Sequence, residues 1–373
     1  MKNLLKLISF ATVSILILTS CEGPMGMQGI AGPPGATGPM GPVGEEVCKS
    51  CHLPASVATI YKEYDEFSAH AITPIRSSGA CATCHTQQGF LYAVENNASS
   101  IPAGAIGRFN QNFRCTTCHN AIHDEDYDWA LTTTASVPLM MWGGEKTANL
   151  TFGNSSSNLC LKCHQPRAIA GINNILSSPA APNTNLGTSP AYSGGIHYNT
   201  GQILYAGVGG IEFGSDYTNT RHHSVGGGVS CARCHMADTK GYTEGHTFIA
   251  TLKGCTVSCH GRDESELSAR MVPIKAELEQ LLEDLAAKLK TVVGGGNDVV
   301  TPNGNINTYH ATGNPDGYWK NPENGNHDFP ALTNAQYGAI INYQLVARSV
   351  GARSGAHNYP YVKKLLENTI AAI

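Results

Sequence analysis

The chain has 373 residues, room for one large or two ordinary domains, and carries 13 cysteines, 15 histidines and 41 glycines. A net charge of −4 and a pI near 6.4 leave no basic footprint, which excludes nucleic acid as a partner. Aromatic residues make up only 7%, so large apolar side chains are scarce and some other material is expected to supply part of the core.

Residues 1–20 read as a secretory signal. Lys2 and Lys6 flank the start of the apolar run Leu7–Leu18, which is too short and wrongly flanked for a membrane-spanning helix. The run ends Leu18-Thr19-Ser20-Cys21, which resembles the bacterial lipobox with cleavage before Cys21. That resemblance implies a mature protein anchored by lipid at Cys21, and several acyl chains hold stably where one is marginal. Glu22 follows, not the aspartate associated with inner-membrane retention. The expectation is an exported outer-membrane lipoprotein facing the periplasm or the cell surface.

Residues 21–45 form a stalk of another kind. Glycine recurs at 23, 26, 29, 32, 35, 38, 41 and 44, with Pro24, Pro33, Pro34, Pro39 and Pro42 between. A strict Gly-X-Y period with proline is collagen-like, because only glycine fits a triple-helix axis. At about 3 Å per residue the segment reaches on the order of 60 Å. Two readings stand: a homotrimer formed through residues 23–44, or a polyproline-like tether.

From residue 46 to 262 one short pattern organises the chain. It reads Cys48-Lys49-Ser50-Cys51-His52, Cys81-Ala82-Thr83-Cys84-His85, Cys115-Thr116-Thr117-Cys118-His119, Cys160-Leu161-Lys162-Cys163-His164 and Cys231-Ala232-Arg233-Cys234-His235. A sixth copy, Cys255-Thr256-Val257-Ser258-Cys259-His260, has one extra residue between its cysteines. C-x-x-C-H is the attachment pattern of c-type haem: two cysteines bond one porphyrin edge and the adjacent imidazole ligates the iron. Zinc ribbons pair two C-x-x-C units and thioredoxin-like sites need one; neither explains a histidine after every second cysteine. The six clusters and Cys21 account for all 13 cysteines, so none is left for a disulfide. Six haems c would act as both cross-link and core, and removing them is expected to unfold most of the protein.

Each iron needs a second axial ligand. Beyond the proximal His52, His85, His119, His164, His235 and His260, nine histidines remain: His70, His123, His197, His222, His223, His246, His310, His327 and His357. His123 lies four residues past His119, on the same face if that helix continues, and so is expected to reach a neighbouring site. His70 falls between the first two clusters and is placed to cross between them. His222 and His223 are consecutive, so only one is expected to ligate. His310 and His327 sit in Asn/Gly/Pro-rich loops and are read as non-ligands.

Several stretches resemble the multihaem c-type cytochromes related to cytochrome c nitrite reductase and hydroxylamine oxidoreductase. They are Phe67-Ser68-Ala69-His70-Ala71, Cys115–His123, His197–Gln202 with Gly207–Phe213 and Asn219–His222, Cys231–Met236 followed by His246-Thr247-Phe248, and Ser354–Tyr361 with Leu365-Leu366. The resemblance implies distal roles for His70, His123, His197, His222, His246 and His357. Departures are the longer sixth cluster, Ala237 in place of a proline, and Tyr359 inserted before Pro360. No cluster ends in lysine, the mark of the catalytic haem in nitrite reductase.

Residues 263–373 read as a helical segment packing on the haems. Leu267, Met271, Ile274, Leu278, Leu281, Leu285 and Leu289 recur at three and four, with Pro273 kinking or starting the helix. Further helices are expected over 334–350 and 360–372. The whole is expected to be mainly α with long irregular loops. Function is read as electron relay between redox proteins, not catalysis. The alternatives are a reductase of a small nitrogen or sulfur compound with one open haem, and a subunit of an extracellular cytochrome assembly. The light-scattering mass of the soluble protein, with and without residues 22–44, separates the two stalk readings. A trimeric stalk predicts a mass that falls to one protomer on removal, and equal protomer numbers leave only the tether.

Overall fold

The computed structural model describes residues 55–106, 111–120, 130–169, 171–183, 196–197, 200–237, 245–261, 263–293 and 333–373. The signal, Cys21, the stalk, the Cys48–His52 cluster, His123, His310 and His327 lie outside the described residues. Those described fall in one unit, Ala55–Ile373, which is mainly helical.

Short helices come first in the chain. Helix α1 spans Ala55–Phe67, α2 Gly79–His85 and α3 Gln87–Asn96. Thr86 separates α2 from α3: its hydroxyl donates to the Ala82 carbonyl and accepts from the Gly89 N–H, capping α3 while it ends α2. Then follow α4, Cys115–Cys118, and a two-stranded antiparallel ribbon that pairs Val137 with Ala148. Helices α5 (Ser157–Leu161), α6 (Ile172–Ser177), α7 (Cys231–His235) and α8 (Leu252–Cys255) are single turns or little more. Such short pieces are below the length at which helices hold themselves, so tertiary contacts must hold them.

The carboxyl-terminal helices are long. Helix α9 runs unbroken over Glu264–Val293 with Pro273 in its interior, not in its first turn. Pro273 deprives the Ala269 carbonyl of its partner, but both residues are exposed, so water can replace the missing bond. Helix α10 covers Asn334–Ala347 behind a capping box, in which Thr333 accepts from the Gln336 N–H and the Gln336 side chain accepts from the Thr333 N–H. Nearly every residue of α10 is buried, as expected of a helix at the centre of its neighbours. Helices α11 (Val350–Arg353) and α12 (Tyr359–Ala372) complete the chain, and α9, α10 and α12 pack on one another, with α6 against α10. No helix among the described residues is long and apolar enough to cross a membrane.

One apolar cluster joins these helices to the middle of the chain. Leu278, Leu285, Leu289, Ile341, Leu345, Leu365 and Leu366 meet Val137, Leu139, Leu161, Ile175, Ile203 and Ile211. The described core is therefore built by chain atoms to a greater extent than the composition suggested. Its polar fastening is Asn342, fully buried on α10. Asn342 accepts from the Ile211 N–H at 2.7 Å and donates to the Ile211 carbonyl and to Thr369 Oγ1, each at 2.8 Å. Substituting Asn342→Ala would leave both Ile211 groups buried without partners, and a loss of about 2–4 kcal/mol is expected. A denaturant titration checks it; an unchanged midpoint would count against the clamp.

Candidate functional site

Five of the six clusters are described, and each lies on a turn of helix. A residue, its third neighbour and its fourth project from one face of such a turn, so the two sulfurs and the imidazole of each cluster point together. The backbone shows the turn directly: the His119 N–H bonds the Cys115 carbonyl at 2.9 Å, and the His164 N–H bonds Cys160 at 3.0 Å. The sixth cluster meets its extra residue with a π-helical turn over Thr256–His260, directly after α8. A one-residue insertion into a helix produces this wider turn, and His260 keeps its place in the site.

Four cluster histidines face a histidine from elsewhere in the chain. Ring centroids are 5.9 Å apart for His85 and His197, 6.0 Å for His164 and His70, 6.1 Å for His235 and His357, and 5.8 Å for His260 and His222. Two imidazoles sharing one metal put their nitrogens about 4 Å apart, twice a metal–imidazole bond of about 2 Å, and their centroids about 6 Å apart. The Nε2 atoms of His222 and His260 stand at 3.5 Å, a little inside that spacing. His223 turns away, with its Nε2 at 2.5 Å from the Tyr205 carbonyl, so one of the two consecutive histidines enters the site and the other does not.

Two cluster imidazoles are already oriented. His85 Nδ1 lies 3.0 Å from the Pro74 carbonyl and His235 Nδ1 2.9 Å from that of Phe248. A carbonyl can only accept, so Nδ1 carries the hydrogen in each, and Nε2 is left with a lone pair for a metal. Burial, with His164 and His235 adding to it, brings His70 down to about 4; burial, with His235 and His164, does the same to His357. Both are neutral at ordinary pH, the form in which imidazole ligates. The His357 ring lies against the backbone of Gly351, where an added Cβ would come within 2.3 Å of Nδ1 and Cε1. Glycine at 351 is the condition for the ring's position.

The cysteines place the clusters relative to one another. Cys84 lies close enough to Cys163 to shift its ionisation, and so do Cys160 to Cys231 and Cys234 to Cys255. The neighbouring Cys163 brings the Cys84 thiol down to about 7, and Cys84 together with burial pushes Cys163 up. Ser157 fixes the join between α5 and α7 by accepting the Cys231 N–H at 2.9 Å. The described clusters thus form a row: 81–85, 160–164, 231–235, 255–260. Cys118 adds to the electrostatic load on both Cys160 and Cys163, which puts the 115–119 cluster beside the second member.

These residues fit a porphyrin iron. Such an iron asks the protein for two axial ligands only, and the facing pairs offer two; among the described residues no three His, Cys, Asp or Glu side chains converge as a bare ion would need. A cavity of about 700 Å³ adjoins the His85–His197 pair, lined by Ala80, Thr83, Lys162, Gln165, Arg167 and His197. Its volume is within the range of roughly 300–1,000 Å³ that cofactor sites take, and Lys162 and Arg167 put two cationic side chains on its wall.

Helix α1 ends at Phe67, and the following turn brings the His70 ring to 6.0 Å from His164 of the fourth cluster. The α4 helix stops at Cys118, and His119 is extended and bridged to Leu131; His123 lies outside the described residues. His246 lies 5.9 Å from the Phe248 ring, with its N–H on Glu63 Oε2 at 3.3 Å. Asn358, which carries no signal in the sequence beyond its place after His357, takes a left-handed φ of 64°. It donates to the carbonyls of Leu204 and Tyr205 and to Asn219, and accepts from Thr220, fixing His357 against the segment that carries His222.

Comparison with known proteins gave no matching family model, no matching curated protein and no matching solved structure. With porphyrin iron bound, His222→Ala is expected to expose one axial position and produce a high-spin signal by electron paramagnetic resonance, while His223→Ala leaves the spectrum low-spin. The reverse pattern would refute the pairing of His222 with His260.

Proposed function

We propose that this chain is an exported, lipid-anchored hexahaem c-type cytochrome that relays electrons between respiratory redox proteins. The observation that carries the reading is the set of four facing imidazole pairs, each combining the histidine of a Cys–Cys–His cluster with a remote one. When bound, haem iron would supply a reversible one-electron change without change of ligands.

The chain's own residues do the rest. The cluster cysteines, Cys48 and Cys51 included, would attach the groups, and the cluster histidines would ligate on one side. His70, His197, His222 and His357 would close the other side, and His123 and His246 complete the distal set. The carbonyls of Pro74 and Phe248 hold two imidazoles in the ligating tautomer, and burial holds His70 and His357 in the neutral form. The row of sulfur contacts supports transfer along the chain of sites, because it brings successive clusters into contact.

A carrier is favoured over a catalyst because a reacting iron needs an open position beside acid–base groups, and each of the four described pairs would offer an imidazole on both sides. Intact mass and spin state of the protein, exported by a host that attaches haem c, test the reading together. The expected result is a red protein heavier than its polypeptide by six haems, all low-spin. A colourless product, or the mass of the bare chain, would overturn it.

A further inference from the structure

Phe248 does two things from one Cα. Its carbonyl lies 2.9 Å from His235 Nδ1, while its ring stands edge-on to His70, with centroids 4.8 Å apart and planes at 84°. It does so at a φ of 57°, the left-handed region, which a bulky aromatic residue occupies only where its surroundings over-determine it. The turn is closed by the Gly245 N–H on the Met236 carbonyl at 3.1 Å, so the segment returns to the end of α7. Rotation to an ordinary φ would swing the carbonyl and the ring about that Cα and lose one contact to keep the other.

We propose that Phe248 is a positioning residue shared by two neighbouring ligand sites, His235–His357 and His70–His164. The sites adjoin through the Cys160–Cys231 contact and the Ser157 bond to the Cys231 N–H. His70 is gripped from a further side by Phe113, at 6.0 Å, which Tyr64 holds by donating to its carbonyl at 2.9 Å; Tyr64 packs edge-on against Phe248 at 6.4 Å. The backbone acceptor on His235 Nδ1 sets ring orientation and ligand basicity. The aromatic edge on His70 sets only the plane of that ring. One residue therefore couples the ligand geometry of two irons.

The inference rests on the haem reading above, and two substitutions in the haem-loaded protein separate its parts. Glycine accepts a φ of 57° without strain, so Phe248→Gly keeps the carbonyl and removes the ring. Valine resists that region, so Phe248→Val displaces both. Potentiometric titration and electron paramagnetic resonance of variants retaining six haems by mass are the readouts, with signals assigned through His70→Met and His357→Met. Phe248→Gly should move the signal of the His70 site alone. Phe248→Val should move both, by about tenfold in the reduction equilibrium, or about 59 mV for one electron, and Phe248→Tyr should restore the native values. Should Phe248→Val fail to load, Phe248→Gly carries the test. Unchanged signals in a fully loaded Phe248→Gly protein, or movement of the His357 site instead, would overturn the proposal. An unsubstituted protein without haem would overturn the functional reading, whatever Phe248 does.

Discussion

A turn of helix can aim two sulfurs and one imidazole at the same point, but it does so from one side. Whatever lies at that point needs its second imidazole from another stretch of chain, and the described structure meets this need four times with residues distant in sequence. That requirement explains the loops. Segments such as 68–78 and 207–220 carry little regular structure of their own, and they bring His70, and Asn219 and Thr220 beside Asn358, to their places. In the proposed reading the irons would draw these segments together, and the long helices would hold the far side.

The helical end of the chain is less dependent on that material. Its three long helices bury leucine and isoleucine against residues 137–213, with Asn342 as a polar fastening inside. At the surface Glu277 of α9 bonds both Tyr359 and Lys363 of α12. Below it Tyr361 donates to Glu212 at 2.8 Å, and Lys146 pairs with the same carboxylate at 3.6 Å. Exposed ion pairs contribute little each, so the apolar contacts set the stability there and the charges set which faces meet.

How much was legible in the sequence follows from the range of each signal. Cluster turns and the α9 stripe are local periodicities, and they can be read directly. The choice of His70, His197, His222 and His357 came from resemblance, and the geometry brings each to a cluster histidine. Which cluster each one meets is a long-range fact: His70 lies between the first two clusters in the chain and 6.0 Å from His164 of the fourth in space. The row of sulfur contacts skips sequence order at the third cluster for the same reason. Phe248 and Gly351 were invisible because their roles lie in a backbone angle and in the absence of a Cβ. Composition understated the core the chain builds for itself, in which Trp142, Phe213 and Tyr361 pack beside the leucines and isoleucines.

The wider turn at Thr256–His260 has an evolutionary consequence. A helix that gains one residue can absorb it as a local bulge, leaving the register on either side untouched, so a three-residue gap between cysteines is a neutral length variant of the motif. In the proposed reading, a survey that requires a two-residue gap would tally five attachment positions in this chain and pass over a sixth.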